Sequence, residues 1–172
     1  MNATIVHPTH QPDPARDLVL TRVVDLPVEK VWAAWTNPEH ILHWFTPAPW
    51  QTVACEIDLR PGGLFKTTMR SPEGNEFPNL GCYLEVIANE RLVWTSALAP
   101  GFRPVLNAIG CADIIFTAVI SMERVGNGTR YTALAMHPDD SGCQKHAEMG
   151  FHDGWSTALD QLVAYMGPQK PR

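Results

Sequence analysis

Residues 141–166 read SGCQKHAEMGFHDGWSTALDQLVAYM, and the placement of their apolar side chains decides the fold. At about 100° per residue, Cys143, Ala147, Gly150, Phe151, Gly154, Trp155, Ala158, Leu162 and Tyr165 share one broad arc. His146, Asp153, Asp160 and Ala164 fall opposite. The spacing predicts one long C-terminal helix over 141–166. Its apolar arc is divided. One flank is small (Ala147, Gly150, Gly154, Ala158) and the other is large (Phe151, Trp155, Leu162, Met166). Two glycines inside a helix cost about 1 kcal/mol each relative to alanine. Either the helix approaches a sheet closely, or side-chain volume is withheld to leave room for a ligand.

The sheet comes from the residues before it. Residues 113–123 and 129–137 have strand character and flank Gly126-Asn127-Gly128. Asn-Gly favours a two-residue type I′ hairpin. That register pairs Met122 with Ala133, Ile120 with Ala135 and Ala118 with His137. Phe116, Ala118, Ile120 and Met122 then share a face with Tyr131, Ala133, Ala135 and His137. Further back, 52–59, 64–70, 79–87 and 91–99 are strand segments separated by turns such as Arg60-Pro61-Gly62-Gly63 and Ser71-Pro72-Glu73-Gly74-Asn75. Phe65, Thr67 and Met69 alternate onto one face. Short turns between strands imply an antiparallel meander. Residues 100–112, PGFRPVLNAIGCA, carry no period and are expected to be either a mobile flap or a plain connection.

The N-terminal part opens with a proline-bearing arm over 1–16, then the strand DLVLTRVV over 17–24. VEKVWAAW over 28–35 has helical spacing at Val28, Val31, Trp32 and Trp35. Asn37-Pro38 is an N-cap followed by proline at the first helical position, opening a short helix over 38–44. The domain is therefore expected over 17–167, with 168–172 as a tail. The class is α+β, a curved antiparallel sheet around a long C-terminal helix, with an apolar cavity between them.

Composition limits the function classes. The chain has 172 residues and a net charge of -5 with no basic stretch, which argues against nucleic-acid binding. No apolar run approaches the ~20 residues that span a bilayer, so no membrane partner is expected. No basic segment followed by an apolar one marks a signal peptide. Cys55, Cys82, Cys111 and Cys143 are widely spaced with no C-x-x-C, so reduced thiols in a cytoplasmic protein are expected. Six tryptophans provide material for a core or a pocket wall.

Candidate chemistry is sparse. His40-x-x-His43 has metal-ligand spacing but no third ligand, so two surface histidines are expected and no metal or cofactor. His146 and His152 diverge by about 120° on the wheel and do not share a ligand. No nucleophile elbow, phosphate loop or dinucleotide fingerprint is present. His137 points inward in the hairpin register above, either as an acid or base or as a satisfied strand-end histidine. Asp58 and Arg60, two apart, are expected to form a structural ion pair. Arg103, in the 100–112 segment, is a candidate contact for an acidic ligand group.

The ordered set VEKVWAAWTNPEHILHWF, CEIDLRPGG, GCYLEVIANERLVWT, GNGTRYT and MGFHDGW followed by LDQL, covering Leu18 to Met166, resembles the START-like helix-grip (SRPBCC) superfamily. It is most similar to the branch homologous to the activator of the ninety-kilodalton heat-shock chaperone ATPase. The resemblance implies a β-α-α-β6-α fold with a cavity under the long helix. Relatives include lipid carriers, polyketide cyclases and hormone receptors, and the branch has no universal catalytic set to carry over. The activator couples this domain to a separate N-terminal one, for which the residues before Asp17 leave no room.

Three readings follow. The first is binding of a small apolar or aromatic molecule in a pocket walled by Trp44, Phe45, Phe65, Met69, Trp94 and Phe116. His137 adds to that wall, and Gly150, Phe151, Gly154 and Trp155 close it from the helix. The second is a cyclase or hydrolase using His137 as acid or base, assisted by Arg103 or Tyr83. The third is a chaperone-cofactor-like interaction module, which requires a large exposed apolar patch on the outer face of the sheet. A homodimer is compatible with each, and no residue pattern marks one.

Overall fold

A computed structural model describes residues 10–110 and 112–168. Residues 1–9 of the expected arm, Cys111 and residues 169–172 of the expected tail lie outside the described residues. The elements are β1 (Asp17–Val24), α1 (Val28–Thr36), α2 (Pro38–Trp44), β2 (Gln51–Ile57), β3 (Leu64–Arg70), β4 (Glu76–Ile87) and β5 (Arg91–Thr95). They continue with β6 (Leu98–Ala99), β7 (Arg103–Pro104), β8 (Thr117–Val125), β9 (Gly128–Met136), α3 (Asp140–Glu148) and α4 (Phe151–Met166). Seven strands form one antiparallel sheet in the order β1-β9-β8-β5-β4-β3-β2, and β6 and β7 form a separate ribbon. This is the predicted helix-grip architecture.

Local sequence explains the entry into the fold. The Asn37 side chain accepts from the Glu39 N–H at 2.9 Å, and Pro38 follows it, as the cap motif requires. Val28, Val31, Ala34 and Trp35 bury one face of α1. Trp44 of α2 donates its indole N–H to the Ala34 carbonyl at 3.0 Å, locking the two short helices together.

The final hairpin corrects the predicted register. The two turn residues are Gly126 and Asn127, with Val125 opposite Gly128. Met122 therefore pairs with Tyr131, Ile120 with Ala133 and Ala118 with Ala135. Gly126 has φ +58° and Asn127 is not left-handed, so the turn is of type II′, not I′. The difference is two residues, an even number, so the facing survives. Ala118, Ile120, Met122, Tyr131, Ala133 and Ala135 are all buried toward the helices.

The strands around 96–116 also differ from expectation. The strand predicted to 99 stops at Thr95, and the one predicted from 113 begins at Thr117. Ser96 takes over the ladder with its side chain, donating to the Ile114 carbonyl at 3.0 Å and accepting from the Phe116 N–H at 3.1 Å. Asp113 has φ +49°, a conformation no strand tolerates. The segment predicted to lack a pattern contains β7, which pairs with β6 just before it.

The largest correction concerns the C-terminal helix. It is two helices, α3 and α4, separated at Met149 and Gly150. Gly150 has φ +93°, in the left-handed region that a glycine adopts without penalty. The break resets the helical phase, so one wheel drawn across 141–166 places Cys143 correctly but turns His146 outward and Ala147 inward, the reverse of what is found. Cys143 and His146, three apart on α3, both turn inward.

α4 buries Phe151, Ala158, Leu159 and Leu162 against the sheet. Burying one such aliphatic or aromatic side chain stabilises by roughly 1.5–3 kcal/mol. Polar ties fix its position. Arg22 of β1 reaches Asp160 at 2.7 Å. Gln161 donates to the Trp44 and Thr46 carbonyls at 2.9 Å each and accepts from the Ala48 N–H at 2.9 Å. These bonds hold the helix at the correct distance to span the concave sheet.

Candidate functional site

Between the sheet, α2, α3 and α4 lies a cavity of about 420 Å³. That is within the roughly 300–1,000 Å³ range of small-molecule sites. Trp44, Phe45, Phe65, Met69, Trp94 and Phe116 line it, and so do Gly150, Phe151, Gly154 and Trp155. The rings form a continuous wall. Phe65 meets Phe45 at 5.6 Å and Trp94 at 5.2 Å, and Trp94 meets Phe116 at 5.3 Å, all edge to face. Ile109 and Met149 also line the cavity and are 51% and 56% exposed, so it reaches the surface on their side.

The glycine question resolves differently at its two positions. A Cβ on Gly154 would meet only Pro47 Cγ, at 3.9 Å. The sheet is not pressed against this glycine, and the volume it omits belongs to the cavity. Gly150 is needed for its backbone conformation at the break between helices.

His137 is buried as expected but does not line the cavity. Its Nδ1 donates to the Arg16 carbonyl at 2.8 Å, and its Nε2 lies 2.9 Å from Nδ1 of His146. His146 occupies the place assigned to His137. It lines the cavity, with its ring 4.9 Å from Phe116, 5.2 Å from Phe151 and 6.2 Å from Trp155. Burial, then the adjacent His137, push the His146 pKa down to about 4. The imidazole is therefore neutral at ordinary pH. Nε2 of His146 has no partner among the described residues, yet it is not sealed off as the indole nitrogen of Trp94 is. The sequence signal for His146 was its spacing from Cys143, hidden by the assumption of an unbroken helix.

Arg103 lies exposed on the β6–β7 ribbon and does not line the cavity. Tyr83 is fully buried and stacks on Phe65 at 5.3 Å, outside the cavity lining. Its hydroxyl has no partner, and burial raises its pKa. Among the described residues, neither Arg103 nor Tyr83 hydrogen-bonds to His137 or His146. The 100–112 segment contributes Ala108, Ile109, Gly110 and Ala112 to the wall, which sequence reading did not assign. Leu80 N–H donates to the Ile109 carbonyl at 2.9 Å and holds that loop to β4.

Other candidate chemistry is structural. His40 Nδ1 lies 3.1 Å from the Tyr165 hydroxyl and His43 stacks on the same ring at 4.5 Å. Among the described residues no group of three or more His, Cys, Asp or Glu is placed to hold a metal. Asp58 and Arg60 form the expected pair at 2.8 Å, largely exposed. Cys55, Cys82 and Cys143 are free thiols. Burial pushes the Cys55 thiol up to about 12, which makes it a poor nucleophile. Among the described residues no helix is long and apolar enough to cross a membrane.

Comparison with known proteins places this chain in a family. Among curated proteins none matches. Protein NE0264 from Nitrosomonas europaea is 47% identical, with a TM-score of 0.83, covering 89% of this chain and 95% of that one. Protein Ms6760 from Mycobacterium smegmatis shares the fold at 21% identity and a TM-score of 0.73, covering 91% of this chain and 94% of that one. An AHSA1-like protein from Aeromonas hydrophila shares it at 19% identity and a TM-score of 0.63, covering 91% and 99%. The family model described as Activator of Hsp90 ATPase homolog 1-like protein matches residues 25–167, and this chain belongs to that family.

Proposed function

We propose that the protein binds a small, uncharged apolar or aromatic molecule in the cavity between the sheet and α4. The observation that carries this reading is the space beside Gly154. A helix glycine whose would-be Cβ meets no atom beyond its own helix closer than 3.9 Å leaves volume open in an aromatic-walled cavity of about 420 Å³. Removing apolar surface from water drives such binding at roughly 25 cal/mol per Å², before ordering costs are subtracted. Among the described residues, Asp113 is the one charged residue in the lining, and no Lys or Arg lines it. An anionic ligand would find no counter-charge there. The free thiols support a cytoplasmic location.

The test is native mass spectrometry of protein purified from its own host. A neutral, apolar molecule carried through purification and released on unfolding is the expected result. Unliganded protein that also fails to bind any apolar probe contradicts the reading.

An acid–base enzyme is the second reading, favoured by the histidine pair. Its second polar group lies 2.9 Å from His137, as that chemistry requires, but the base facing a substrate is His146. The interaction-module reading finds less support. Of the large exposed apolar side chains, Val23 stands on a strand of the main sheet, while Leu59, Phe102, Leu106, Ile109 and Met149 lie in connections. Val93, Val119 and Leu134, which form an apolar row across β5, β8 and β9, are already buried.

A further inference from the structure

We propose that His146 sets which molecules the cavity takes: uncharged aromatic compounds bearing a hydroxyl group that donates a hydrogen bond to its Nε2. This rests on the cavity-binding reading and narrows it.

The argument starts at a backbone atom. A carbonyl oxygen only accepts, so Nδ1 of His137, 2.8 Å from the Arg16 carbonyl, carries the hydrogen. A neutral imidazole has one N–H, so Nε2 of His137 presents a lone pair. Nδ1 of His146, 2.9 Å away, must then be the donor. That leaves Nε2 of His146 as an acceptor. Two rings transmit the hydrogen-bonding sense of one carbonyl to the wall of the cavity. The His137–Arg16 contact also holds the pair in place, because the His137 backbone N–H donates to the same carbonyl at 3.2 Å.

The surroundings specify the rest of the ligand. Phe116, Phe151 and Trp155 pack around the His146 ring, so a flat apolar body fits beside the acceptor. Asp113 and Asn79 also line the cavity, and the His146→Leu comparison below separates their contribution from that of Nε2. Two hydroxyls of the wall are already engaged. The Thr46 hydroxyl is bonded to that of Thr52 at 2.6 Å, and Ser96 is committed to Ile114 and Phe116. Thr67 also lines the cavity, but a hydroxyl either donates or accepts and so does not discriminate. A ligand without a donor leaves Nε2 desolvated and unpaired, which is costly. A carboxylate brings an acceptor to an acceptor.

The experiment uses the full chain near neutral pH and has two arms. Nitrogen NMR of the imidazoles reads the tautomers directly. The expected result is hydrogen on Nδ1 in both His137 and His146, and hydrogen on Nε2 of His146 overturns the proposal even if no variant folds. Calorimetric titration then compares naphthol, methoxynaphthalene and naphthoate. Naphthol is expected to bind tightest, by roughly tenfold or more over methoxynaphthalene. His146→Leu is expected to erase that difference while methoxynaphthalene still binds. His137→Leu, a change to a positioning residue, is expected to shrink it and to shift the His146 nitrogen resonances. Equal affinities in the wild type overturn the inference and leave the cavity reading standing. No binding of any of the three overturns both.

Discussion

Nε2 of His137 and Nδ1 of His146 lie 2.9 Å apart and join the residue after β9 to the inner face of α3. The bond puts a neutral histidine into an apolar wall, and its consequence is a pH dependence of stability. An unfolded His146 takes up its proton near 6.5, whereas the folded one resists until about 4, because burial and then His137 oppose its charge. Between those values the unfolded chain holds more protons, so acidification favours unfolding. Stability contributed by this site is constant above pH 6.5 and falls between there and pH 4, by up to roughly 3 kcal/mol. Urea melts across that window, compared with His146→Phe, check it. The variant is expected to show a shallower decline, and equal slopes would contradict the assignment.

Gly150 and Gly154 are expected to respond oppositely to alanine. Gly154 lies inside α4 with room for a Cβ, so Gly154→Ala gains roughly 0.5–1 kcal/mol from helix propensity. Gly150 has φ +93°, so Gly150→Ala loses roughly 1–2 kcal/mol. Paired denaturation curves measure both. Loss of stability in Gly154→Ala would mean that the sheet is closer than its nearest atoms indicate.

Tyr83→Phe removes a buried hydroxyl that has no partner. The substitution is expected to raise stability by about 1 kcal/mol and to leave ligand binding unchanged. A fall in binding would place Tyr83 at the site and revive its assisting role in catalysis.

Arg103→Ala is expected to change neither stability nor affinity for a neutral ligand, because the side chain is exposed and away from the lining. Surface substitutions of this kind stay within about 0.5 kcal/mol. Thermal melts and a binding titration are sufficient to check it.

The parts legible from sequence were those governed by short-range rules. The Asn37-Pro38 cap, the Phe65–Thr67–Met69 face and the inward face of the last hairpin each follow from a period or a turn. The facing survived even though the register slipped by two residues, since strand periodicity is insensitive to an even shift. What failed depended on a single backbone angle. Gly150 was read as a helix-interior glycine, and its positive φ is invisible in composition. An unbroken wheel turns His146 away from the sheet, while the hairpin register, which says nothing of α3, gives His137 the inward place. Arg103 and Tyr83 were assigned by residue chemistry without a register to constrain them.

The most direct measurement of the central claim is calorimetric titration of naphthol into the wild type and Gly154→Leu. Leucine at that position occupies the space beside Pro47 that the glycine leaves open. The account predicts binding of one naphthol per wild-type chain, and affinity weaker by roughly tenfold or more in a variant that melts no lower. Equal affinities in the two proteins, or no binding to the wild type, would contradict it.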